Sequence, residues 1–494
     1  MKALLLVAAT TAILIAGTAG AARPSAPPAR QAAGPKQLTI RSTPALNPPY
    51  SAGVPDYTVR CKGDKPVTVQ ASIPAGRTVS VDGGPPAERS LKQDVDLTAG
   101  QAFTFTVTGP GVAPATHNVR CLPPDLTSWR VQRSGRPVSQ WIVFAPTLRQ
   151  FPPLYPPYSV IADSHGVPVW WKRAEGATPL DTRLLSDGTV TWARLGGGFS
   201  QTYWDHVALD GTELRPFTTV GIGADHHDFQ QLPNGNVLMI ADTARYHIDL
   251  RRFGGPRDGT VIDSEVQELT PDGQLVWSWS TRDHIRLSET SAWGFKHAVI
   301  NYYEKPAYDL THLNSVDLHG NVLIISARHL DAVYGIRRSD GKVLWKMGGT
   351  HRAESLTLKR DPYGKVNFGG QHNARRLWDG TVSVHDNRSL RRNRMRIARY
   401  RLNLRKRTAT LVENVTDRRT IYSYCCGSGQ HLPKGHWLIS WGSNPIITEL
   451  DRRHRPVLTL TLPRKLYSYS SQAVLPGVVT IDQLRAGMNA MFPR

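Results

Sequence analysis

Three histidines in this chain each stand eight residues before a turn glycine: His227 before Gly235, His312 before Gly320 and His372 before Gly380. A single histidine is commonly structural. Three at one spacing mark a repeated unit that delivers an imidazole to the same place each time. A neutral imidazole can attack an electrophilic centre and carry the transferred group covalently. A second imidazole can protonate the leaving oxygen and later take a proton from the acceptor. Arg328 follows Gly320 by eight residues, and Asn314 follows His312 by two. A guanidinium offers a planar fork of donors to sulfuryl or phosphoryl oxygens, and an amide adds another. The set suits transfer of a tetrahedral anionic group, with no cofactor required. No HxxxH, HxH or two-histidine-one-carboxylate spacing stands out, so no metal site is expected.

Other residues near these runs have plainer readings. His226 reads as a surface or supporting residue. His329 follows Arg328 and, on a strand, faces the other way. Arg388 lies eight residues after Gly380, and Asp228 and Asp317 are expected to satisfy backbone groups or orient the imidazoles.

The positioning elements are short β-type runs around turn glycines. LLSDGTVTWARL, QLPNGNVLMIAD, DLHGNVLIISAR, RLWDGTVSVHDN and HLPKGHWLISWG surround Gly188, Gly235, Gly320, Gly380 and Gly435, which are 47, 85, 60 and 55 residues apart. A second kind of unit, such as TPDGQLVWSWS or RSDGKVLWKMGG, alternates with them. Each pair supplies the four strands of a propeller blade. An opening blade near 138–175 brings the expected count to six. The run after each histidine is then the innermost strand of its blade. Five residues at ~3.3 Å each place the histidine roughly 17 Å from its glycine, so all three crowd one mouth of the channel. Arg328 returns there on the second strand. Leu180 and Gly427 hold the equivalent positions in other blades, so the repeat itself does not require histidine. The longest gap holds an insertion at about 281–310, whose Trp293, Phe295, Tyr302, Tyr303 and Tyr308 suit either packing or stacking on an aromatic substrate. Trp277, Trp345 and Trp437 read as packing between blades.

The segments HHDFQQLPNGNVLMI, THLNSVDLHGNVLIISARH and FGGQHNARRLWDGTVSVHDN resemble the bacterial arylsulfate sulfotransferase family, and CCGSGQHLPKGHWLISWG resembles a secreted branch of it. The resemblance covers most of residues 120–460. It implies a six-bladed β-propeller that moves a sulfuryl group from a phenolic sulfate donor to a phenolic acceptor through a sulfohistidine, without a nucleotide sulfate. It implies His372 as nucleophile, and His312 and His227 in sulfuryl binding and acid/base work. Asn314 and Arg328 would clamp the sulfuryl oxygens. Two rivals come from other classes: a non-catalytic propeller that binds sulfated or acidic glycans, and a quinone-dependent dehydrogenase. The latter is suggested by adjacent cysteines and one G-K-x-x-W segment at 341–345, and opposed by the expected six blades rather than eight.

The N-terminus reads as a cleaved secretory leader, residues 1–21, with one basic residue, a short apolar run and Ala19-Gly20-Ala21. No segment suits a bilayer span. A Pro/Ala-rich linker at 22–36 follows. Residues 37–125 alternate apolar and polar positions between Gly and Pro turns, as in a small Ig-like β-sandwich. The propeller is expected over 126–465, with a tail at 466–494 that packs on or closes it and holds a short helix. Export permits disulfides. Cys61 and Cys121 share a V-R-C context and are expected to pair. Adjacent Cys425 and Cys426 suit a vicinal bridge, an intermolecular one, or two buried thiols. The formal charge is +21, which favours anionic partners. The Arg-rich run from Arg388 to Arg407 alternates like a strand with arginine on its wet face, not like a nucleic-acid-binding arm.

Overall fold

A computed structural model describes residues 37–494 apart from 64, 149–156, 196–201, 303–304, 364–367 and 392. The expected leader and linker, and Tyr303 of the insertion, lie outside the described residues.

The chain is all-β. Residues 39–121 form two sheets, one of three strands and one of four. They share a core that includes Ile40, Tyr57, Val69, Val79, Phe105 and Val119. Alternation builds it: in Ala102–Gly109 the phenyl and valyl side chains point inward and the threonines outward. Cys61 and Cys121 are joined by a disulfide.

Six sheets follow among the described residues, arranged as a propeller-like ring. The strands Leu466–Val474, Thr178–Leu184, Ala224–Gln231, Leu313–His319, His372–Arg376 and Ser428–Leu432 contact one another in that order, and the last meets the first. The turn glycines Gly188, Gly235, Gly320, Gly380 and Gly435 all have positive φ, between 59° and 86°, a conformation that costs other residues a Cβ clash. Two of the second strands open on largely apolar runs, because both their faces are covered. Val237 to Ala241 and Leu323 to Ala327 are fully buried examples.

Two sheets are completed from outside their own sequence neighbourhood. In the first, Trp141–Leu148 is not innermost. Leu466–Val474, from the expected tail, pairs with it on the channel side. In the last, Arg130–Arg133 adds the outermost strand beside Pro456–Thr461. Glutamines tie neighbouring inner strands together. Gln472 accepts from the Leu184 N–H and donates to its carbonyl at 2.8 and 3.0 Å. Gln430 brackets Ala473 in the same way, and Gln230 brackets Leu318.

The helix Ile481–Met491 starts on a capping box between Thr480 and Gln483. Arg485 pairs with Asp56 at 2.9 Å, and Arg120 donates to Asn489 at 2.8 Å, so the helix bridges the N-terminal unit and the ring. No described helix is long and apolar enough to cross a membrane. The arginine run is a strand, Arg396–Asn403, but arginine is not confined to its wet face. Arg396 is buried and ion-paired to Asp361 and Asp386. Trp277, Trp345 and Trp437 lie in or against the core, with the Trp277 and Trp437 N–H groups given to the Arg338 carbonyl and Glu413.

Candidate active site

Each histidine sits where an inner strand begins with an irregular pairing. His227 lies inside Ala224–Gln231, His312 directly precedes Leu313–His319, and His372 opens His372–Arg376. The register shifts beside each one. His312 has φ 47° and Asn373 φ 49°. These local kinks turn the imidazoles toward the mouth.

His227 and His312 are paired with carboxylates just upstream. His227 Nδ1 donates to Asp225 at 2.6 Å, and His312 Nδ1 donates to Asp309 at 2.5 Å. That fixes the tautomer and leaves Nε2 as the free edge. The two rings meet edge to face with centroids 4.5 Å apart. His226 stacks on His227 at 4.1 Å. Burial opposes the charge on Asp225, but the neighbouring imidazoles outweigh it and hold this carboxyl below the usual range. Burial dominates at Asp309 and raises it.

His329 belongs to the cluster, contrary to the sequence expectation. Arg328–Leu330 is a 3-10 turn, not a strand, so the alternation of faces does not apply. His329 is 3% exposed and stacks on His312 at 4.4 Å. Its Nδ1 donates to the Asp309 carbonyl and its Nε2 accepts from Arg328, both at 2.7 Å. Arg328 also donates to the Tyr424 carbonyl at 2.7 Å and lies over Trp293, 4.4 Å from the ring centroid. The Trp293 N–H is given to Asp331 at 2.9 Å. Trp293 therefore supports the guanidinium. Phe295 and Tyr308 pack against each other inside the insertion, and Tyr302 is half-buried at the end of Val299–Tyr302.

His372 is held from both edges. Its Nδ1 donates to the Gly370 carbonyl and to Asn387 Oδ1, each at 3.0 Å. Its Nε2 accepts the backbone N–H of Cys426, also at 3.0 Å. The Tyr469 ring meets both His227 and His372 edge-on, with centroids at 6.1 and 6.4 Å. Burial, and the positive charge of neighbours after it, pushes His312, His329 and His372 well below the ordinary histidine pKa. His226 is pushed down to about 4 by burial and His227. These imidazoles are therefore neutral at pH 7.

The other expected residues fall as follows. Asn314 is buried and donates to the Gln371 carbonyl at 2.8 Å, so its amide braces the residue before His372. Asp228 binds Arg183, Arg375 and the Val316 N–H, and Asp317 binds the Arg376 N–H at 2.6 Å. Both connect inner strands and neither touches the histidine triad. Arg388 does not return to the mouth: it is buried against Asp386 and Tyr363. Cys425 and Cys426 form a disulfide with each other. Sequence reasoning missed Asp225, Asp309, Asn387 and Tyr469. The first two carry a local signal, D-x-H and D-x-x-H. The Asp225-His226-His227 and Asp309-His312-His329 groups also have the atom types and spacing of metal ligands. Here the Nδ1 atoms of His227 and His312 are spent on the carboxylates. A cavity of about 900 Å³ lined by Tyr158, Trp171, Trp192 and Arg194 lies elsewhere, and no residue of the cluster lines it.

The propeller-like ring thus gathers imidazoles and a guanidinium supported by Trp293 at one place. The model of the Arylsulfotransferase (ASST) family matches residues 210–462, which include all three histidines. The chain belongs to that family, and its activity is of arylsulfotransferase type. No curated protein matches the chain. Among solved structures, it resembles a protein of unknown function from Bacteroides caccae at 12% identity, over 67% of this chain and 98% of that one, with a TM-score of 0.42. A putative 6-phosphogluconolactonase from Bacteroides fragilis is 13% identical over 69% and 100%, with a TM-score of 0.39. Virginiamycin B lyase from Staphylococcus aureus is 10% identical over 69% and 89%, with a TM-score of 0.34. None of these three likenesses bears on the chemistry.

Proposed function

We propose that this is a secreted arylsulfate sulfotransferase. It carries a sulfuryl group from a phenolic sulfate ester to a phenolic acceptor on His372, in two steps. The observation that carries this reading is the pair of contacts on His372. With Nδ1–H given to Gly370 and Asn387, the lone pair of the neutral ring lies on Nε2. In the first step Nε2 attacks sulfur, the S–O bond to the phenol breaks, and its electron pair leaves on the phenolate. Arg328 neutralises the sulfuryl oxygens. In the return step the Nε2 atoms of His227 and His312, whose Nδ1 protons stay on Asp225 and Asp309, take the proton that the acceptor phenol gives up as its oxygen attacks sulfur, and pass it to the departing phenolate or to solvent. Asn314 serves the site by bracing Gln371. In this reading the six sheets are the blades of one propeller, residues 37–125 are an Ig-like sandwich, and the leader at 1–21 directs export.

The test is mass spectrometry of the protein after brief incubation with a chromogenic aryl sulfate. A sulfuryl adduct on His372 is expected, and it should disappear on adding phenol. Turnover with no label on His372, or full activity in His372→Ala, would falsify the route. Release of the chromophore should quicken with phenol; indifference to phenol would indicate hydrolysis instead of transfer.

A further inference from the structure

The segment Ser423 to Gly427 touches both halves of the site. Its Tyr424 carbonyl accepts from Arg328, and its Cys426 N–H donates to His372 Nε2. That N–H lies at the lone pair used for attack, so it must leave Nε2 when sulfur arrives. The three sulfuryl oxygens arrive with the sulfur, within reach of the same donor. We propose that the Cys426 backbone N–H is a catalytic donor to the transferring sulfuryl group, and that the Cys425–Cys426 disulfide exists to hold it in place. The inference rests on His372 being the nucleophile.

The surroundings of this peptide argue for a fixed donor. The disulfide closes a small covalent ring through the bond joining the two residues. The Cα atoms are 3.8 Å apart, the spacing of a trans peptide. Cys426 has φ 70°, a region that residues with a side chain rarely occupy without an outside constraint. Its carbonyl accepts from Asn387 Nδ2 at 2.7 Å, and Asn387 Oδ1 accepts from His372 Nδ1. One amide side chain thus registers the donor peptide against the nucleophile. Ser423 Oγ donates to the Cys425 carbonyl, and the Gly427 N–H donates to the Tyr469 carbonyl at 2.8 Å. Beneath Gly427 lies the His385 ring; a Cβ there would come within 2.4 Å of it.

The step balances without a redox partner. Nε2 bonds to sulfur while the S–O bond to the phenol breaks with its electron pair. The Cys426 N–H exchanges the Nε2 lone pair for a non-bridging oxygen and keeps its proton. The disulfide is not consumed. A fixed donor aimed at developing oxygen charge lowers the barrier because it needs no reorganisation.

The experiment is rapid-quench labelling of His372 by a chromogenic aryl sulfate at saturating donor. It compares the wild-type enzyme, Cys425→Ser/Cys426→Ser, and wild-type enzyme reduced with a phosphine and then re-oxidised. The double variant leaves Cys61–Cys121 intact, and circular dichroism reports its fold. The labelling rate is expected to fall on the order of 10²-fold, the usual effect of removing one such donor, with donor KM changed by less than about 3-fold. Re-oxidation should restore the reduced enzyme, and a Cys61→Ser/Cys121→Ser variant carried through the same reduction and re-oxidation assigns the effect to Cys425–Cys426 even if the first double variant misfolds. Labelling at the wild-type rate in either form that lacks the Cys425–Cys426 bridge overturns the inference, as does a rise in KM alone. Absence of label in the wild-type enzyme would instead strike at His372 as nucleophile.

Discussion

His372 illustrates how far residue type and spacing reach. Its position was legible because the repeat fixes where an inner strand begins. Its protonation was not, because that depends on burial and on Arg328, His227 and His312 around it. The consequence is a signed pH dependence. Protonation removes the Nε2 lone pair, and the pKa of the buried ring lies well below 6.5. The rate with an aryl sulfate should therefore stay level as pH falls through 6.5, and drop only at lower pH. A kcat/KM profile with its acid limb at or above 6.5 would contradict this assignment. Asp309 holds His312 by its side chain and His329 by its carbonyl. Asp309→Asn keeps the shape and loses the charge, so His312 can flip its tautomer. We expect kcat to fall on the order of 10-fold to 10²-fold, the range of a misplaced acid/base group, with the fold intact by circular dichroism. An unchanged pH profile in this variant would show that Asp309 does not position His312. Asp225 and Asp309 went unread despite their D-x-H and D-x-x-H spacing, because a carboxylate two or three residues upstream reaches its imidazole only through the kinked backbone between them.

At the scale of elements, the insertion at 281–310 supports the site. It ends in the strand Lys305–Asp309, which pairs in parallel with Gly259–Leu269 and so sets Asp309 beside His312. It also puts Trp293 under Arg328. A cation over an aromatic face is worth about 0.5–2 kcal/mol. Trp293→Ala should accordingly raise donor KM by roughly 3-fold to 30-fold with a smaller change in kcat, measured by steady-state kinetics. The aromatic content of the insertion was plain in the sequence. Its use was not, since an indole that props a guanidinium and one that stacks on a phenol look the same. The glutamine brackets invite a different measurement. Gln472→Ala leaves the buried N–H and carbonyl of Leu184 without their partner. The loss should be about 1–3 kcal/mol, read as a lower denaturant midpoint with an unchanged slope.

The whole molecule is closed by its two ends. The glycine turns made the ring legible, because each repeat announces its hairpin. The closure was harder to see, because YSYSSQAV reads like any other β run and only the ring shows that it is innermost. Two truncations separate its parts. Ending the chain at Thr480 removes the terminal helix, whose Leu484 and Met488 are fully buried. Each such side chain contributes about 1.5–3 kcal/mol, so the product should fold with a lower melting temperature. Ending it at Lys465 removes the inner strand of the first sheet. That product should lack cooperative melting altogether; a cooperative transition and activity in it would refute the role of this strand.

Tyr469 lies on that closing strand, edge-on to both His227 and His372, and its carbonyl holds the Gly427 N–H. The last inner strand in sequence thus completes the histidine cluster as well as the circle. A nascent chain emerging in N-to-C order carries His227, His312, His329 and His372 long before Leu466–Val474 is made. If His372 carries the sulfuryl group, transfer waits for Leu466–Val474 to pair with Trp141–Leu148, so a chain ended before that strand is expected to be inactive.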